Sequence, residues 1–295
     1  MRKKILVTGI SGFVGHHFLG KNLSNIDLFG TYHENPVQFA DIVTCPLNIS
    51  DTAAFVALLE EIKPDTVIHL AALSNANYCE NHPKKCQEVN SQATFHLITA
   101  CQKRDIHFIF ASTDLVFDGK STKAYTEKDA ANGIMTYGID KAKTEHLADL
   151  MYPNKITIAR LPLQYGWCEA APNFLTNWIN TLKAGKTISA FTDEYRTAAW
   201  AGDVVDGLLL LAEREEKGIW HLGGPARQSR YDFAVELAKA LAVDTELVIP
   251  VLQKDIKMAA ARPADVSLNS EKAFRIGYTP GLAAERLKMI LEKRS

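Results

Sequence analysis

A tyrosine and a lysine near the middle of the chain have a spacing that could serve proton transfer. Tyr137 precedes Lys141 by four residues in the stretch MTYGIDKAKTEHLADL. On a helix this spacing places both side chains on one face. An ammonium beside a phenol favours the phenolate and lowers the pKa of the phenol, so the pair predicts a proton donor for an oxygen that gains negative charge. A solvated helix face without a chemical role is the alternative.

A glycine-rich loop near the start of the sequence is the second candidate. Gly9, Gly12 and Gly15 recur at three-residue intervals in VTGISGFVGHHF, between a predicted strand and a predicted helix. Glycine permits the sharp turn and lets a phosphate approach the backbone N–H groups at the helix start. The loop therefore predicts a pyrophosphate site, and a tight strand–helix turn without a ligand is the alternative.

Two hydroxyl groups follow the apolar run HFIF, at Ser112 and Thr113. If this run is a parallel strand, they lie at its carboxyl end, where such sheets bind ligands. A hydroxyl at this place can hydrogen-bond a substrate oxygen and form a donor pair with Tyr137. Ordinary turn capping is the alternative for both residues.

The segments that must position these groups alternate between two kinds over the first 160 residues. The apolar runs, rich in β-branched and aromatic residues, are KKILVTG, IDLFGTY, TVIHLAA, HFIFAST and KITIARL. The helix candidates between them are GFVGHHFLGKNL, SDTAAFVALLEEI, KKCQEVNSQATFHLITACQ and TYGIDKAKTEHLADLM. The runs lack polar/apolar alternation, which is typical of parallel strands buried on both faces. This alternation predicts an α/β fold with a doubly wound parallel sheet.

The pattern loosens after residue 161, where helices such as NFLTNWINTLKAG and SRYDFAVELAKALA come with only short strands. Ser229 and Asp232 fit a helix N-terminal capping box. The sequence pattern of the chain after residue 161 predicts a smaller α+β lobe. The domain bounds that we predict are a dinucleotide-binding domain over 1–161, with a returning segment at about 198–222, and a substrate-binding lobe over 162–197 and 223–295.

Composition limits the class of protein. With 295 residues, 47% hydrophobic and 23% charged, the chain resembles an ordinary globular protein. A net charge of −1 favours neither nucleic acid nor an anionic membrane surface as partner. No apolar run approaches the roughly 18 residues that span a bilayer. We therefore expect a cytoplasmic protein without a nucleic-acid or membrane partner.

The cysteines and histidines do not form a recognisable metal site. Five cysteines are an odd number, and they lack CxxC spacing, so free reduced thiols are the expectation. The adjacent His16 and His17 would point about 100° apart on a helix and could not chelate from one face. We expect no metal.

The glycine loop also carries a family resemblance. With Thr8 in front, TGISGFVG resembles the cofactor loop of the extended short-chain dehydrogenase/reductase superfamily, which has a Rossmann-type sheet. The stretch FASTDLVFDG (110–119) resembles the STDYVFDG segment of the RmlD-type dTDP-4-dehydrorhamnose reductase branch. Further similar stretches cover 173–191, 193–208 and 262–278, so the resemblance extends over nearly the whole chain.

The resemblance implies reduction of a nucleotide-linked 4-keto sugar by hydride from NAD(P)H. The implied catalytic residues are Thr113, Tyr137 and Lys141. The implied cofactor-binding residues are Gly9, Ser11, Gly12, Phe13, Val14, Gly15, Tyr32, His33, Asn48, Ile49, Leu70, Ala71, Ala72, Asn90 and Ser112, together with Tyr137 and Lys141. The implied substrate-binding residues are Asp114, Leu115, Phe117, Asn173, Arg196 and Arg262, and a surface salt bridge is the alternative for each arginine.

The end of the second predicted strand bears on the choice of cofactor. A carboxylate at this place would accept the ribose hydroxyls of NAD. The strand ends instead at Tyr32 and His33, with Glu34 one residue late. The missing acid and the imidazole favour NADP(H) over NAD(H).

Departures from the branch fall on the substrate side. Leu115 replaces the tyrosine of STDYVF, and the stretches AALSNANYCE (71–80) and RLPLQYG (160–166) lack the usual wording. A different nucleotide sugar or another ketone is therefore an alternative substrate. An epimerase or dehydratase that retains NAD is a second reading, although Leu115 rather than glutamate follows Asp114. A third reading is a regulatory subunit like the β subunit of methionine adenosyltransferase. The resemblance also bears on assembly, since the family often forms homodimers.

Overall fold

A parallel β-sheet forms the centre of the computed structural model, which describes residues 2–293. Within these residues the sheet has seven strands, all parallel to their neighbours. In their order across the sheet they are Gly218–His221 (β11), Ile156–Leu161 (β6), His107–Thr113 (β5), Thr66–His69 (β4), Lys3–Thr8 (β1), Ile26–Tyr32 (β2) and Val43–Pro46 (β3). The predicted fold class, a doubly wound parallel sheet, is confirmed.

The central strands are buried on both faces, as their unbroken apolar sequences predict. Every residue of β4, β5 and β6 is buried. One hydrophobic cluster fills each side of the sheet, with Ile5 and Val7 in the first and Leu6 in the second. Successive side chains of a strand point to opposite faces, so one strand contributes to both clusters.

Helices cover the sheet and build the remainder of the chain. They are Phe13–His16 (α1), Thr52–Ile62 (α2), Ala76–Asn81 (α3), Pro83–Cys86 (α4), Thr94–Gln102 (α5), Thr136–Met151 (α6), Phe174–Lys183 (α7), Ala201–Arg214 (α8), Arg230–Ala240 (α9), Glu271–Arg275 (α10) and Ala283–Glu292 (α11). A π-helical stretch, Gln87–Ala93, joins α4 to α5. Over residues 2–293, none of the helices is both long and apolar enough to cross a bilayer.

The first predicted helix, residues 12–23, is much shorter than expected. Helix α1 ends at His16, and residues 17–20 form turns. Gly20 has φ +73°, a conformation that cannot continue a right-handed helix. The expected length of this helix was therefore wrong.

Three small two-stranded sheets lie beyond residue 161. Their strands are Gln164–Tyr165 (β7) with Ala199–Trp200 (β10), Ile188–Phe191 (β8) with Val248–Val251 (β13), and Tyr195–Arg196 (β9) with Gln228–Ser229 (β12). The capping box of Ser229 and Asp232 at the start of α9 is confirmed. Strand β11 lies in the predicted returning segment and pairs with β6. The division into domains at the stated bounds stays a prediction.

Two of the five cysteines form a disulfide, so the expectation of free thiols was wrong for this pair. Cys79 in α3 and Cys86 in α4 are bonded, with their Cα atoms 5.4 Å apart. The two short helices follow one another with only His82 between them, which brings both buried sulfur atoms together. Cys45, Cys101 and Cys168 are free.

Candidate active site

A cavity of about 1100 Å³ opens at the carboxyl edge of the large sheet. Residues that end or follow β1 to β6 line it. The strand order reverses between β1 and β4, which lie side by side at the centre of this edge. Open α/β sheets bind ligands at such a switch point, so this cavity is the candidate site.

The glycine loop after β1 forms one wall of the cavity. Gly9 has φ +75°, and a Cβ atom there would lie 2.8 Å from the backbone N of Ala71. A Cβ atom on Gly15 would collide with the backbone of Ile10. Both positions therefore require glycine, because the backbone of Ala71 and of Ile10 occupies the space that a Cβ atom would need. The predicted loop residues Gly9, Ser11, Gly12, Phe13, Val14 and Gly15 all line the cavity.

The ends of β2 and β3 form the next part of the wall. The predicted residues Tyr32, His33, Asn48 and Ile49 line the cavity here. Glu34 lines it as well, and its Oε1 lies 3.7 Å from Nδ1 of His33 with both side chains exposed. A carboxylate and an imidazole thus stand together at the mouth.

The catalytic candidates meet on the opposite wall. Tyr137 and Lys141 lie in α6, whose bounds match the predicted helix, and Thr113 ends β5. All three line the cavity and are buried. The Nζ of Lys141 donates a hydrogen bond to the carbonyl of Ala111 at 2.8 Å and lies 4.4 Å from the ring centre of Phe110. The spacing of four residues therefore places both side chains on the cavity face of α6.

Burial controls the ionisation of this pair. It raises the pKa of Tyr137 above its usual range, and the Asp114 carboxylate adds to the rise. Burial lowers the pKa of Lys141 to about 7, against the opposing effect of the Glu145 charge. The expectation of a lowered tyrosine pKa was wrong, because burial and the Asp114 carboxylate both raise it. The phenol keeps its proton at neutral pH, and a proton donor requires this form.

Polar contacts link Thr113 to Asp114 and Asp114 to Arg196. The Oγ1 of Thr113 donates to Oδ1 of Asp114 at 3.2 Å and accepts from the backbone N–H of Leu115 at 3.2 Å. Burial raises the pKa of Asp114 to about 6, although Arg196 with its Nε 3.7 Å from Oδ2 opposes the rise. Arg196 is shared, since its Nη2 also lies 3.3 Å from Oε1 of Glu194.

Two arginines from the second half of the chain reach the cavity. Arg196 and Arg262 both line it, with Asp114 and Leu115 from the sheet side. Arg262 donates from Nη2 to Oδ1 of Asn77 at 3.2 Å. Neither arginine forms the surface salt bridge that was the alternative reading, because Arg196 is buried and Arg262 is bonded to an amide.

Three predicted site residues do not line the cavity. Asn90 is fully buried in the π-helical stretch. Its side chain accepts a hydrogen bond from the backbone N–H of Leu73 at 2.8 Å and donates one to the Leu73 carbonyl at 2.9 Å. Phe117 is also fully buried and stacks on Tyr125, with ring centres 4.0 Å apart. Asn173 caps α7, and its Nδ2 donates to the Gly166 carbonyl at 2.9 Å. These three residues support the wall from behind.

The remaining predicted residues lie where expected, with one difference. Leu70, Ala71 and Ala72 follow β4 and line the cavity, as does Ser112. The hydroxyl of Ser112, however, donates to Oε1 of Glu145 within the protein. The Ser112 hydroxyl is therefore hydrogen-bonded within the protein and does not point toward a ligand.

Further lining residues were not among the predicted site residues. They are Thr31, Glu34, Leu47, Ser50, Leu73, Ser74, Asn75, Ala76, Asn77, Tyr78, Lys85, Val89, Ala111, Leu161, Pro162, Leu163, Gln164 and Glu194. Residues 161–164 end or follow the predicted strand KITIARL, and Leu73 follows the predicted strand TVIHLAA, so these positions could have identified them. Residues 75–78 reach the cavity through the arrangement of α3, which the sequence pattern does not reveal.

Comparisons with known proteins show the family and the fold of the chain. A family model described as the RmlD substrate binding domain matches residues 2–293. A probable low-salt glycan biosynthesis reductase, Agl14, of Haloferax volcanii is 32% identical over 264 residues, which cover 87% of this chain and 86% of the relative. A dTDP-4-dehydrorhamnose reductase of Aggregatibacter actinomycetemcomitans is 25% identical, covering 91% of each chain. A crystal structure of dTDP-4-dehydrorhamnose reductase from Bacillus anthracis in complex with NADP has the same fold, with a TM-score of 0.87, 22% identity and coverage of 99% and 100%.

Proposed function

The chain belongs to the family described as the RmlD substrate binding domain, and on this premise we propose that it is an NAD(P)H-dependent reductase of a nucleotide-linked 4-keto sugar. One observation carries the proposal: Thr113, Tyr137 and Lys141 line the same cavity as the glycine loop. The two relatives described above are both named reductases. These names favour reduction over an epimerase, a dehydratase or a regulatory subunit.

The cofactor would lie along the wall formed by the glycine loop and the ends of β2, β3 and β4. The loop suits a pyrophosphate, because its glycines line the cavity at the turn between β1 and α1, where a phosphate can approach the backbone. When bound, the reduced nicotinamide supplies a hydride to the carbonyl carbon of the sugar. Asn48 and Ile49 would contact the adenine, and Lys141 the ribose.

The protein's own groups would handle the proton. Tyr137 holds its proton at Oη at neutral pH, because burial raises its pKa, and it donates this proton to the oxygen that gains charge. The Thr113 hydroxyl turns its hydrogen from Asp114 to the same oxygen and forms the second donor. The Lys141 cation stabilises the negative charge in this buried space.

Two features would bind the substrate. Arg196 and Arg262 offer guanidinium groups that suit a diphosphate, because their planar donors can bind it bidentately. Leu115 presents an apolar wall where the related branch has a tyrosine, so the sugar hydroxyl that a tyrosine would hold is not selected here. Asp114 lies between these features and accepts from sugar hydroxyls when it is ionised.

The experiment is a panel assay on the purified protein. NADPH or NADH is incubated with several nucleotide-linked 4-keto sugars, and the loss of the reduced nicotinamide absorbance is followed. We expect turnover of at least one sugar, and Tyr137→Phe should lower kcat by roughly 10²–10⁴-fold with little change in KM, since only the proton donor is removed.

The matched control is Tyr152→Phe. Tyr152 directly follows α6, is buried and donates only to the carbonyl of Ile106, so its hydroxyl should not affect kcat. The reductase proposal fails if no sugar is turned over by the parent protein. It also fails if Tyr137→Phe turns over as fast as the control variant.

We also propose that the protein prefers NADPH to NADH. Strand β2 ends at Tyr32 without an acid, and His33 follows it, where a ring N–H can donate to a 2′-phosphate. Glu34 is the opposing charge at this mouth. Titration by protein fluorescence should give a lower Kd for NADPH, and Glu34→Gln should tighten NADPH more than NADH. Tighter binding of NADH by the parent protein would contradict the preference.

We also propose that the protein is cytoplasmic, that it forms a homodimer and that it does not bind nucleic acid. Exposed apolar side chains on the neighbouring helices α5 and α6, namely Phe95, Leu147 and Leu150, offer a surface for a second copy. Sedimentation equilibrium should give twice the chain mass, and Leu150→Glu should lower it to one chain. A single-chain mass for the parent protein would contradict the dimer.

A further inference from the structure

A buried ion pair behind the catalytic wall has no part in the chemistry described so far. Arg160 in β6 donates from Nη2 to Oε2 of Glu145 at 2.7 Å, and from Nε to both carboxylate oxygens at 3.1 Å. Their side chains are only 3% and 4% exposed. A buried pair of this kind adds little net stability compared with apolar residues, so it invites a functional explanation.

Glu145 also reaches the end of β5. Its Oε1 accepts the hydroxyl hydrogen of Ser112, the residue before Thr113. Ser112 lies opposite Arg160 in the register of β5 and β6. One carboxylate therefore joins α6 to the carboxyl ends of two strands, at the residue before Thr113.

Helix α6 presents three functional side chains in one column. Tyr137, Lys141 and Glu145 follow one another at intervals of four residues, so they lie on the same face. The Lys141 Nζ donates to the carbonyl of Ala111, and Glu145 accepts from the next residue, Ser112. The column thus contacts consecutive residues of β5 with opposite charges.

The groups around Lys141 leave Glu145 as its main stabilising charge. Burial lowers the pKa of Lys141 to about 7, and the Glu145 charge raises it. On β4, His69 has a pKa lowered to about 3 by burial and by Lys141, so it is neutral. Phe110 on β5 offers its ring, and Tyr137 on α6 is protonated. Arg160 on β6 is paired with the Glu145 carboxylate.

We propose that Glu145 is a positioning residue for the reduction: it fixes the end of β5 against α6 through Ser112, and it places a carboxylate one helical turn from Lys141, where it favours the ammonium form. The consequence for turnover rests on the proposed function. The contacts and the charge of Lys141 do not, and they can be measured without a substrate.

The test measures the Lys141 charge directly in Glu145→Gln. In protein labelled with ¹⁵N-lysine, the Nζ resonance of Lys141, assigned with Lys141→Met, is followed against pH in the absence of cofactor. We expect the titration of the variant to move to lower pH by about one unit, since the opposing charge is lost and Arg160 is left unpaired. The alkaline limb of kcat/KM should move in the same direction.

Two further variants separate this role from a merely structural one. Glu145→Gln/Arg160→Met removes both charges, so it avoids an unpaired buried guanidinium and folds even where the single variant does not. It should lower the Lys141 titration by less than the single variant. Glu60→Gln removes a carboxylate from an exposed pair with Arg104 and should leave the titration unchanged.

The outcomes distinguish this proposal from the proposed function. A Lys141 titration that stays at the parent value in both Glu145 variants overturns the role of Glu145. A shifted titration supports it, and a shift in a protein that reduces no sugar contradicts only the reductase proposal. Loss of turnover in Glu145→Gln without a shifted titration also overturns it, because that result describes a damaged fold.

Discussion

Desolvation is the main influence on the titratable side chains of the cavity. Burial raises the pKa values of Tyr137 and Asp114 and lowers that of Lys141. The sequence places a lysine beside a tyrosine, but it does not show how little water reaches either. Nearby charges oppose burial with smaller effects on these pKa values. The Glu145 charge raises the pKa of Lys141, and the Arg196 charge lowers the pKa of Asp114.

Asp114 gives a prediction about stability and pH. Its pKa of about 6 in the folded protein lies above its ordinary 3.8, so the fold binds this proton more tightly than the unfolded chain does. The stabilising contribution is complete below the ordinary value and is lost as pH rises through the folded value. Asp114→Asn should therefore gain stability over the parent protein across this window, by roughly 3 kcal/mol in the free energy of unfolding.

Urea unfolding of both proteins at a series of pH values measures this gain. The comparison uses the difference between the two proteins, so other titrating groups cancel. Asp118→Asn is the control, because Asp118 accepts from Tyr125 at 2.7 Å and its pKa is lowered. That variant should lose stability relative to the parent as pH rises, and equal pH slopes for parent and Asp114→Asn would refute the burial argument.

At the scale of elements, helix α6 is seated against the turn that follows β5. A Cβ atom on Gly138 would collide with the carbonyl oxygen of Leu115. The close approach brings Tyr137, one residue earlier, to the end of β5. A backbone oxygen cannot move aside as a side chain can, so glycine is required here.

Gly138→Ala should therefore damage both stability and turnover. We expect a loss of roughly 1–3 kcal/mol in the free energy of unfolding. We expect kcat to fall by up to about 10²-fold, since α6 must shift and carry Tyr137 with it. Gly207→Ala is the matched control, because its Cβ would meet only side-chain atoms, at 3.0 Å in Leu222. A Gly138→Ala variant as active as this control would contradict the close packing of α6 against the turn after β5.

The disulfide gives a second prediction for elements. Cys79 and Cys86 are seven residues apart, and their bond restricts the unfolded chain while it ties α3 to α4. Cys79→Ser/Cys86→Ser should lower the free energy of unfolding by roughly 2–3 kcal/mol by chain entropy. Thermal unfolding with and without a reducing dithiol measures it. The dithiol should destabilise the parent and leave the variant unchanged, and a parent protein unaffected by the dithiol would argue against the bond.

The sequence predicted elements best where local pattern and tertiary fold agree. Helix α6 and strand β2 have the predicted bounds, since their sequences suit their own geometry. The helix expected over 84–102 contains a π-helical stretch, which local pattern does not reveal. The disulfide and the contact of Glu145 with Ser112 join residues brought together only by packing, so no spacing rule predicts them.

At the scale of the whole molecule, two halves of the chain share the cavity. Asn77 from the sheet side accepts from Arg262 and from the backbone N–H of Ala260, which follow more than 180 residues later. The lining residues near the glycine loop were predicted well, because glycine loops and strand ends are local signals. The lining residues around Asn77 and Arg262 were predicted less completely, because this part of the cavity depends on how distant segments meet.

Cofactor binding should stabilise the whole molecule. A ligand that binds only the folded protein adds about 2.7 kcal/mol at one hundred times its Kd. We expect NADPH at this concentration to raise the Tm, and ATP at the same concentration to raise it less, because ATP lacks the nicotinamide half that fills the catalytic end. Differential scanning calorimetry measures both, and an unchanged Tm with NADPH would count against a nicotinamide site.

The place of β11 in the sheet has a consequence for synthesis of the chain on the ribosome. Strand β6 ends at Leu161, but its outer neighbour begins only at Gly218. At roughly 5–20 residues per second, β6 waits about 3–11 s for that neighbour to emerge. During this interval its edge is unpaired and apolar, and such an edge recruits strands from other chains. Slow translation beyond residue 161 should therefore lower the yield of folded protein, and a chaperone that covers this edge should restore it.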